Sequence, residues 1–200
     1  MVDVANLPEV LDVQHGKHYR DCLEGRVFSQ TCTPLGLAPQ VYTDTDLADC
    51  LPIWNPSNSG VNVELISYTA SKASGTSAFM AGVLMARSGL GTDLGTGTEI
   101  TAFAATTPLN GLLGAGRVSR VKSSNAGTST MTAGVAGEAV RVLYGTGVAD
   151  DGTENGINYT HIDFDGTILL PPGTMIWVTA TTAGVALYCQ TWVWKEIKIG

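Results

Sequence analysis

Charge is scarce in this chain. Only 14% of its 200 residues are Asp, Glu, Lys or Arg, against roughly 25% in an average soluble domain. The formal net charge is -7. An acidic chain lacks the basic footprint that phosphate binding needs, so nucleic acid is not an expected partner. Long apolar runs are also missing. The longest candidate, Phe79 to Ala86, is of strand length and far below the roughly 20 residues of a membrane helix. No membrane partner is expected. Met1 to Asn6 hold neither the basic start nor the apolar stretch of a secretory leader, which reads as synthesis in the cytosol. Cysteine is limited to Cys22, Cys32, Cys50 and Cys189, with no C-x-x-C pair. The expectation is four free thiols packing as small apolar side chains. A Cys22–Cys32 bridge across a hairpin is the alternative.

Chemical motifs are as sparse as charge. The histidines are His15, His18 and His161. A zinc site would need His15 and His18 on one helical face beside a third ligand, but Gly16 lies between them. His161 shares a strand face with Asp163, which suits a hydrogen bond. No G-x-S-x-G elbow exists to turn that pair into a hydrolase triad. Asp150, Asp151 and Glu154 form an oxygen-rich loop, as do Asp44, Asp46 and Asp49. Neither has the EF-hand spacing, and both read as exposed turns. Asp163 and Asp165 could pair in space as glycosidase carboxylates do, but the Asp165-Gly166 turn already explains the second. There is no phosphate loop or dinucleotide fingerprint. Arg117, Arg120 and Lys122 are the clearest basic cluster. On an acidic domain they fit a salt-bridging patch to an acidic neighbour better than a nucleic-acid site. No cofactor, metal or catalytic residue is expected.

What the chain does have is glycine, 24 residues of it, and short alternating apolar runs between turn signals. Val61 to Tyr68, Ala78 to Arg87, Thr98 to Ala104, Arg117 to Lys122, Ala139 to Tyr144, Ile157 to Phe164 and Thr167 to Leu170 read as strands. A weak strand falls around Thr130 to Val135. Ala70 to Thr76 reads as a loop, and Leu109 to Leu113 as one helical turn. Asp44 to Cys50 could form another. Pro172-Gly173 fits the corner of a type II turn. The last two runs flank Thr181 to Gly184 and read as a closing hairpin. In the final run Leu187, Cys189, Thr191 and Val193 point one way, and Tyr188, Gln190, Trp192 and Trp194 the other.

No 3.6-residue period is sustained anywhere. The fold expected is all-β, a single jelly-roll β-sandwich with an irregular N-terminal arm. Residues 1–50 form the arm or collar and residues 51–200 the sandwich. The arm either packs on a neighbour, with His18, Tyr19, Arg20 and Phe28 as contacts, or is a loosely ordered terminal segment. Val27 to Ser29 could be a short strand within it. Two runs are apolar on both faces, Ala78 to Arg87 and Leu187 to Trp194. A strand apolar on both faces needs two partners. Phe79, Met80, Leu84, Tyr188, Trp192 and Trp194 are therefore expected at a subunit interface. Trp54 and Trp177 are expected in cores or interfaces rather than on a sugar-stacking platform.

Several stretches together resemble bacteriophage virion proteins of similar length. They are IWNPSNSGVNVEL, Ile53 to Leu65; GTSAFMAGVLMA, Gly75 to Ala86; TPLNGLLGAGRVSRVKSSNAGT, Thr107 to Thr128; IDFDGTILLPPGTMIWV, Ile162 to Val178; and TWVWKEI, Thr191 to Ile197. GKHYRDCLEGRVFSQT, Gly16 to Thr31, resembles them less clearly. The likeness covers most of the chain beyond residue 50. It lies in the order and texture of runs, not in a catalytic motif. It implies a particle component built like trimeric jelly rolls of the tumour-necrosis-factor type, whose inner sheet faces a threefold axis. The function expected is a non-enzymatic, homotrimeric capsid decoration or cement protein, assembled in the host cytoplasm and located on the virion. Its partners would be itself and the major capsid protein or another virion protein. The alternative is the knob of a tail or head fibre, with a host surface glycan as partner. Loops Ser88 to Gly97, Ser123 to Gly137 and Gly145 to Gly156 would then form the receptor face.

Overall fold

The computed structural model describes residues 16–38, 41, 50–75, 81–91, 100–103, 105–114, 116–124, 130–131, 137–145, 159–181 and 186–200. Among them is one short helix, α1 (Tyr19–Leu23). The remaining elements are strands: β1 (Val27–Thr31), β2 (Ile53–Asn55), β3 (Val61–Ser74), β4 (Ala81–Arg87), β5 (Ile100–Ala102), β6 (Leu109–Asn110), β7 (Lys122–Ser123), β8 (Thr130–Met131), β9 (Glu138–Gly145), β10 (Tyr159–Asp163), β11 (Leu169–Leu170), β12 (Thr174–Ala180) and β13 (Leu187–Lys198).

Two antiparallel sheets face each other. Sheet A has the order β10-β3-β13-β1-β6, with β11 also on β3, and sheet B the order β7-β2-β12-β4-β9. The principal strands pair from the outside of the chain inward: β1 with β13, β2 with β12, β3 with β10 and β11, and β4 with β9. First-with-last nesting across two sheets is the winding of a jelly roll. The all-β jelly-roll sandwich expected from the alternating runs is the fold observed.

Period-2 alternation fills the space between the sheets. Phe28, Leu65, Tyr68, Leu84, Ile176, Val178, Trp192 and Trp194 belong to one buried cluster. Burying each such side chain is worth roughly 1.5–3 kcal/mol. Tyr68 and Trp192 lie 4.5 Å apart between ring centroids, and Trp194 stacks on Phe28 at 6.3 Å. The Trp192 indole N–H donates to the Leu51 carbonyl at 2.9 Å. Asn55, fully buried, donates to the Val61 and Leu170 carbonyls at 2.9 and 3.0 Å, tying sheet B to sheet A.

Local expectations fail where long-range pairing prevails. Thr181 to Gly184 does not close a hairpin. β12 lies in sheet B and β13 in sheet A, so the connection crosses the sandwich. Asp165-Gly166 forms its turn, with φ of 51° and 77°, but the chain does not reverse. β10 and β11 run along the same edge of β3 on either side of it. Ala70 to Ser74 is strand, because β10 and β13 pair with it on both sides. Leu109 to Leu113 is not helical: Leu109 and Asn110 add an edge strand to β1. Arg117 to Val121 is irregular, and only Lys122 and Ser123 are strand. Pro172-Gly173 is the expected corner and carries the chain from sheet A to sheet B. Gly173 has φ of 82°, and a Cβ there would meet the Leu90 carbonyl at 2.8 Å.

The proposed boundary at residue 50 does not hold for its last part. β1 sits inside sheet A between β13 and β6, so Val27 to Thr31 belong to the sandwich. Asp44 to Asp49 and residues 1–15 lie outside the described residues, as do His15 and the Asp150 to Glu154 loop.

Candidate functional site

The two sheets differ on their outer sides. The outward side chains of sheet B form a second buried cluster of Trp54, Val83, Met85, Met175 and Trp177, covered by Cys50 and Leu90. Phe103 packs edge-on against Trp54 at 5.7 Å between centroids. Gly137 lies so close to the Trp177 ring that an added Cβ would sit 2.3 Å from it. These covering residues come mainly from the long connection between β4 and β9. The chain itself supplies the second partner that this two-faced sheet requires.

Among the described residues no second apolar cluster lies over the middle of sheet A, where Ser67 is buried, Thr31 is exposed and the other outward side chains are half-buried. The outward row Ser29, Val193, Ser67 runs across β1, β13 and β3, and the next row is Thr31, Thr191, Thr69. These side chains are small and uncharged. Thr31 and Thr191 share a hydroxyl hydrogen bond at 3.1 Å. Thr69 bonds His161 Nδ1 at 3.0 Å, and His161 Nε2 bonds Asp163 at 3.1 Å. The expected His161–Asp163 pair exists, in an exposed polar ladder that the Thr69 hydroxyl joins at the other ring nitrogen.

One end of this face is closed by the segment around α1. Lys195 on β13 bonds Glu64 at 2.9 Å and Asp21 at 3.3 Å. Arg26 bonds Asp21 and Glu24, each at 2.7 Å. Burial works against the Lys195 charge most strongly. The Glu64 hydrogen bond and the Asp21 and Glu64 charges outweigh it, so its pKa is raised. His18 lies beside the same group. Burial, then Lys195 and Lys17, lowers its pKa against the smaller opposing pull of Asp21 and Glu64. Lys17 pairs with Asp165. Lys17, His18, Ile66, Asp163 and Asp165 line an open cleft of about 520 Å³ here.

The candidate contact residues fall as follows. Trp192 and Trp194 are 0% exposed, Leu84 0% and Tyr188 1%. The chain's own core covers all four, so their side chains leave nothing for a second subunit. The outward row of β13 is the opposite one, Leu187, Cys189, Thr191 and Val193, and it is half-buried. Phe79 and Met80 lie outside the described residues. Phe28 is a core residue at 0% exposure, not an arm contact. Its place opposite Trp194 in β1 explains this. Arg20 remains on the surface, paired with Glu24 at 3.0 Å. His18 and Tyr19 are half-buried. All four cysteines are free, as the default reading holds.

Glu196 escaped the sequence reading. It is 0% exposed. One carboxylate oxygen accepts from the Ser119 hydroxyl at 2.6 Å and the Arg120 backbone N–H at 2.8 Å. It pins the irregular segment around Ser119 to the C-terminal strand. The period-2 pattern was the available signal, since Glu196 shares a parity with Trp192 and Trp194.

Among the described residues no group of His, Cys, Asp and Glu is arranged to hold a metal ion. No described helix is long and apolar enough to cross a membrane. The loops named as a receptor face lie largely outside the described residues. No family model, curated protein or solved structure matches the chain.

Proposed function

We propose that this chain is a non-enzymatic structural protein that works by covering surfaces: a self-associating jelly roll, homotrimeric, that decorates and cements a phage capsid. The observation that carries the self-association is the contrast between the sheets. Sheet B is covered outside by the chain, while the two middle outward rows of sheet A hold only small, uncharged side chains. Such a face approaches a like face closely and with little desolvation cost, because it carries hydroxyls rather than charges. The capsid role draws on the resemblance of the residue runs to virion proteins. The mechanism is burial, at roughly 25 cal/mol per Å² of apolar surface, repeated at many copies over a shell.

The direct test compares shells with and without the protein under heating and at low salt. Shells lacking it should open at lower temperature and release their contents. Equal resistance of both would end the cement role. Copy number tests the same assignment, since decoration needs hundreds of copies per particle and a fibre knob a few dozen at most.

A further inference from the structure

Sheet A is interrupted where its first strand ends. Past β1 the chain stays beside β13 for one more residue, with the Cys32 N–H donating to the Gln190 carbonyl at 3.0 Å. It returns at Leu37, which exchanges backbone hydrogen bonds of 2.9 and 2.8 Å with Tyr188. Between them Thr33 to Gly36 make a tight turn, closed by the Gly36 N–H on the Thr33 carbonyl at 2.9 Å. Cys32 thus stands opposite Gln190 and Leu37 opposite Tyr188, with the whole turn inserted at the level of Cys189.

A thiol fills the gap. Cys32 Sγ accepts the Gln190 N–H at 3.1 Å, the place a partner strand's carbonyl would take. Its S–H has the Tyr188 carbonyl at 3.6 Å and the Thr33 carbonyl at 3.4 Å as acceptors. The Tyr188 carbonyl and the Gln190 N–H are the peptide groups that flank Cys189, so the Cys32 sulfur lies against that residue. The Cys189 thiol donates to the Pro34 carbonyl of the turn at 3.5 Å and is a hydrogen-bonding neighbour of the Cys32 thiol. An offset of one strand spacing and one residue rise puts the two Cα atoms about 6 Å apart, inside the range of about 4.4–6.8 Å that a disulfide spans.

The other cysteines are elsewhere. Cys22 stands at the far end of β1, about 17 Å away, where a Cβ on Gly111 would meet its sulfur at 3.0 Å. Cys50 lies in the cluster outside sheet B. The two paired thiols also differ in exposure. Cys32 is 5% exposed, and burial above all pushes its pKa up, so it reacts slowly with anything arriving from solvent. Cys189 is half-buried on the outward row of β13.

We infer that Cys32 and Cys189 are a reversible disulfide site that, once oxidised by a small disulfide such as oxidised glutathione, clamps β1 to β13. Cys189 loses its proton to solvent and attacks one glutathione sulfur, expelling the other glutathione, which takes up a proton. Cys32 then loses its proton and attacks the Cys189 sulfur, expelling the second glutathione. Two thiol protons and two electrons leave the chain, and two glutathione thiols gain them. The new bond closes a loop holding most of the chain, the case in which a cross-link restricts the unfolded state most. The inference does not depend on self-association.

The test uses the full chain, reduced and then exposed to oxidised glutathione. Thiols titrated in denaturant should fall from four to two, with peptide mapping placing the bond between Cys32 and Cys189. Cys32→Ser should stop with one glutathione held on Cys189, and Cys189→Ser should leave Cys32 unmodified. In urea the oxidised chain should be about thirtyfold or more harder to unfold, and dithiothreitol should remove the gain. Four thiols remaining, glutathione retained on Cys189 of the wild type, or a bond to Cys22 or Cys50 would overturn the pair. An oxidised chain no harder to unfold would overturn the clamp. The wild type alone decides these outcomes, whether or not the serine variants fold.

Discussion

Sheet A and sheet B have the same strand number along their main paths and opposite surroundings. Sheet B is a filling between two apolar layers, the shared core within and the Trp54–Trp177 cluster without. Sheet A has the core on one side and a lawn of Ser, Thr and Val on the other. The difference shows that a strand apolar on both faces need not signal a second subunit. A long connection folded over the sheet serves equally well. Sheet A differs in that its middle outward rows are small, uncharged and mostly half-buried.

The contrast can be broken most forcefully at Trp177. Trp177→Ala should cost about 3–5 kcal/mol, as for a core tryptophan, although its side chain is on an outer face. Urea denaturation read by intrinsic fluorescence would show it. A loss comparable to that of an exposed residue would mean the second cluster is not a working core. Gly137→Ala comes next, at about 1–3 kcal/mol of overpacking against the Trp177 ring. The melting temperature should fall and should recover in part when Trp177 is made smaller in the same chain. On the open face, Val193→Ser should change stability by at most about 1 kcal/mol. A larger loss in dilute monomer would mean that face is packed after all.

The smallest effect sharpens the comparison at the closed end of sheet A. His18 is held below its usual pKa of about 6.5, first by burial and then by Lys195 and Lys17. A lowered folded-state value means the unfolded chain takes up the proton first. The contribution of His18 to stability is therefore full above about pH 6.5 and is lost as pH falls through the lowered folded value. Urea midpoints should drop from about pH 7.5 to pH 5, and His18→Gln should flatten that part of the profile. An unchanged profile would show that His18 is not the group responsible.

Much of this architecture was legible in the strands themselves. Alternation placed Trp192 with Trp194 and Val193 with Thr191 correctly, because period 2 is local geometry. What it could not show was which row faces inward. That depends on Phe28 and Leu51, more than a hundred residues earlier, which pack against the tryptophans. The hairpin expected at Thr181 to Gly184 and the loop expected at Ala70 to Thr76 went wrong for the same reason. Turn signals and small residues are local, while sheet membership is decided by partners far along the chain. The three leucines in the Leu109 to Leu113 segment, around Gly111, were a visible oddity, since exposed loops are seldom so apolar. Helical regularity was the wrong explanation for it.

The pairing of β1 with β13 sets a clock. The hydroxyls of Thr31 and Thr191 that meet there are 160 positions apart. At synthesis rates of about 5–20 residues per second, β1 emerges roughly 8 to 32 seconds before its partner strand exists. During that wait Phe28 has no Trp194 to stack on, and β3 also lacks its longest neighbour. The nascent chain must pass this interval with unpaired edges showing, and a message cut short before β13 would leave a sheet without its middle.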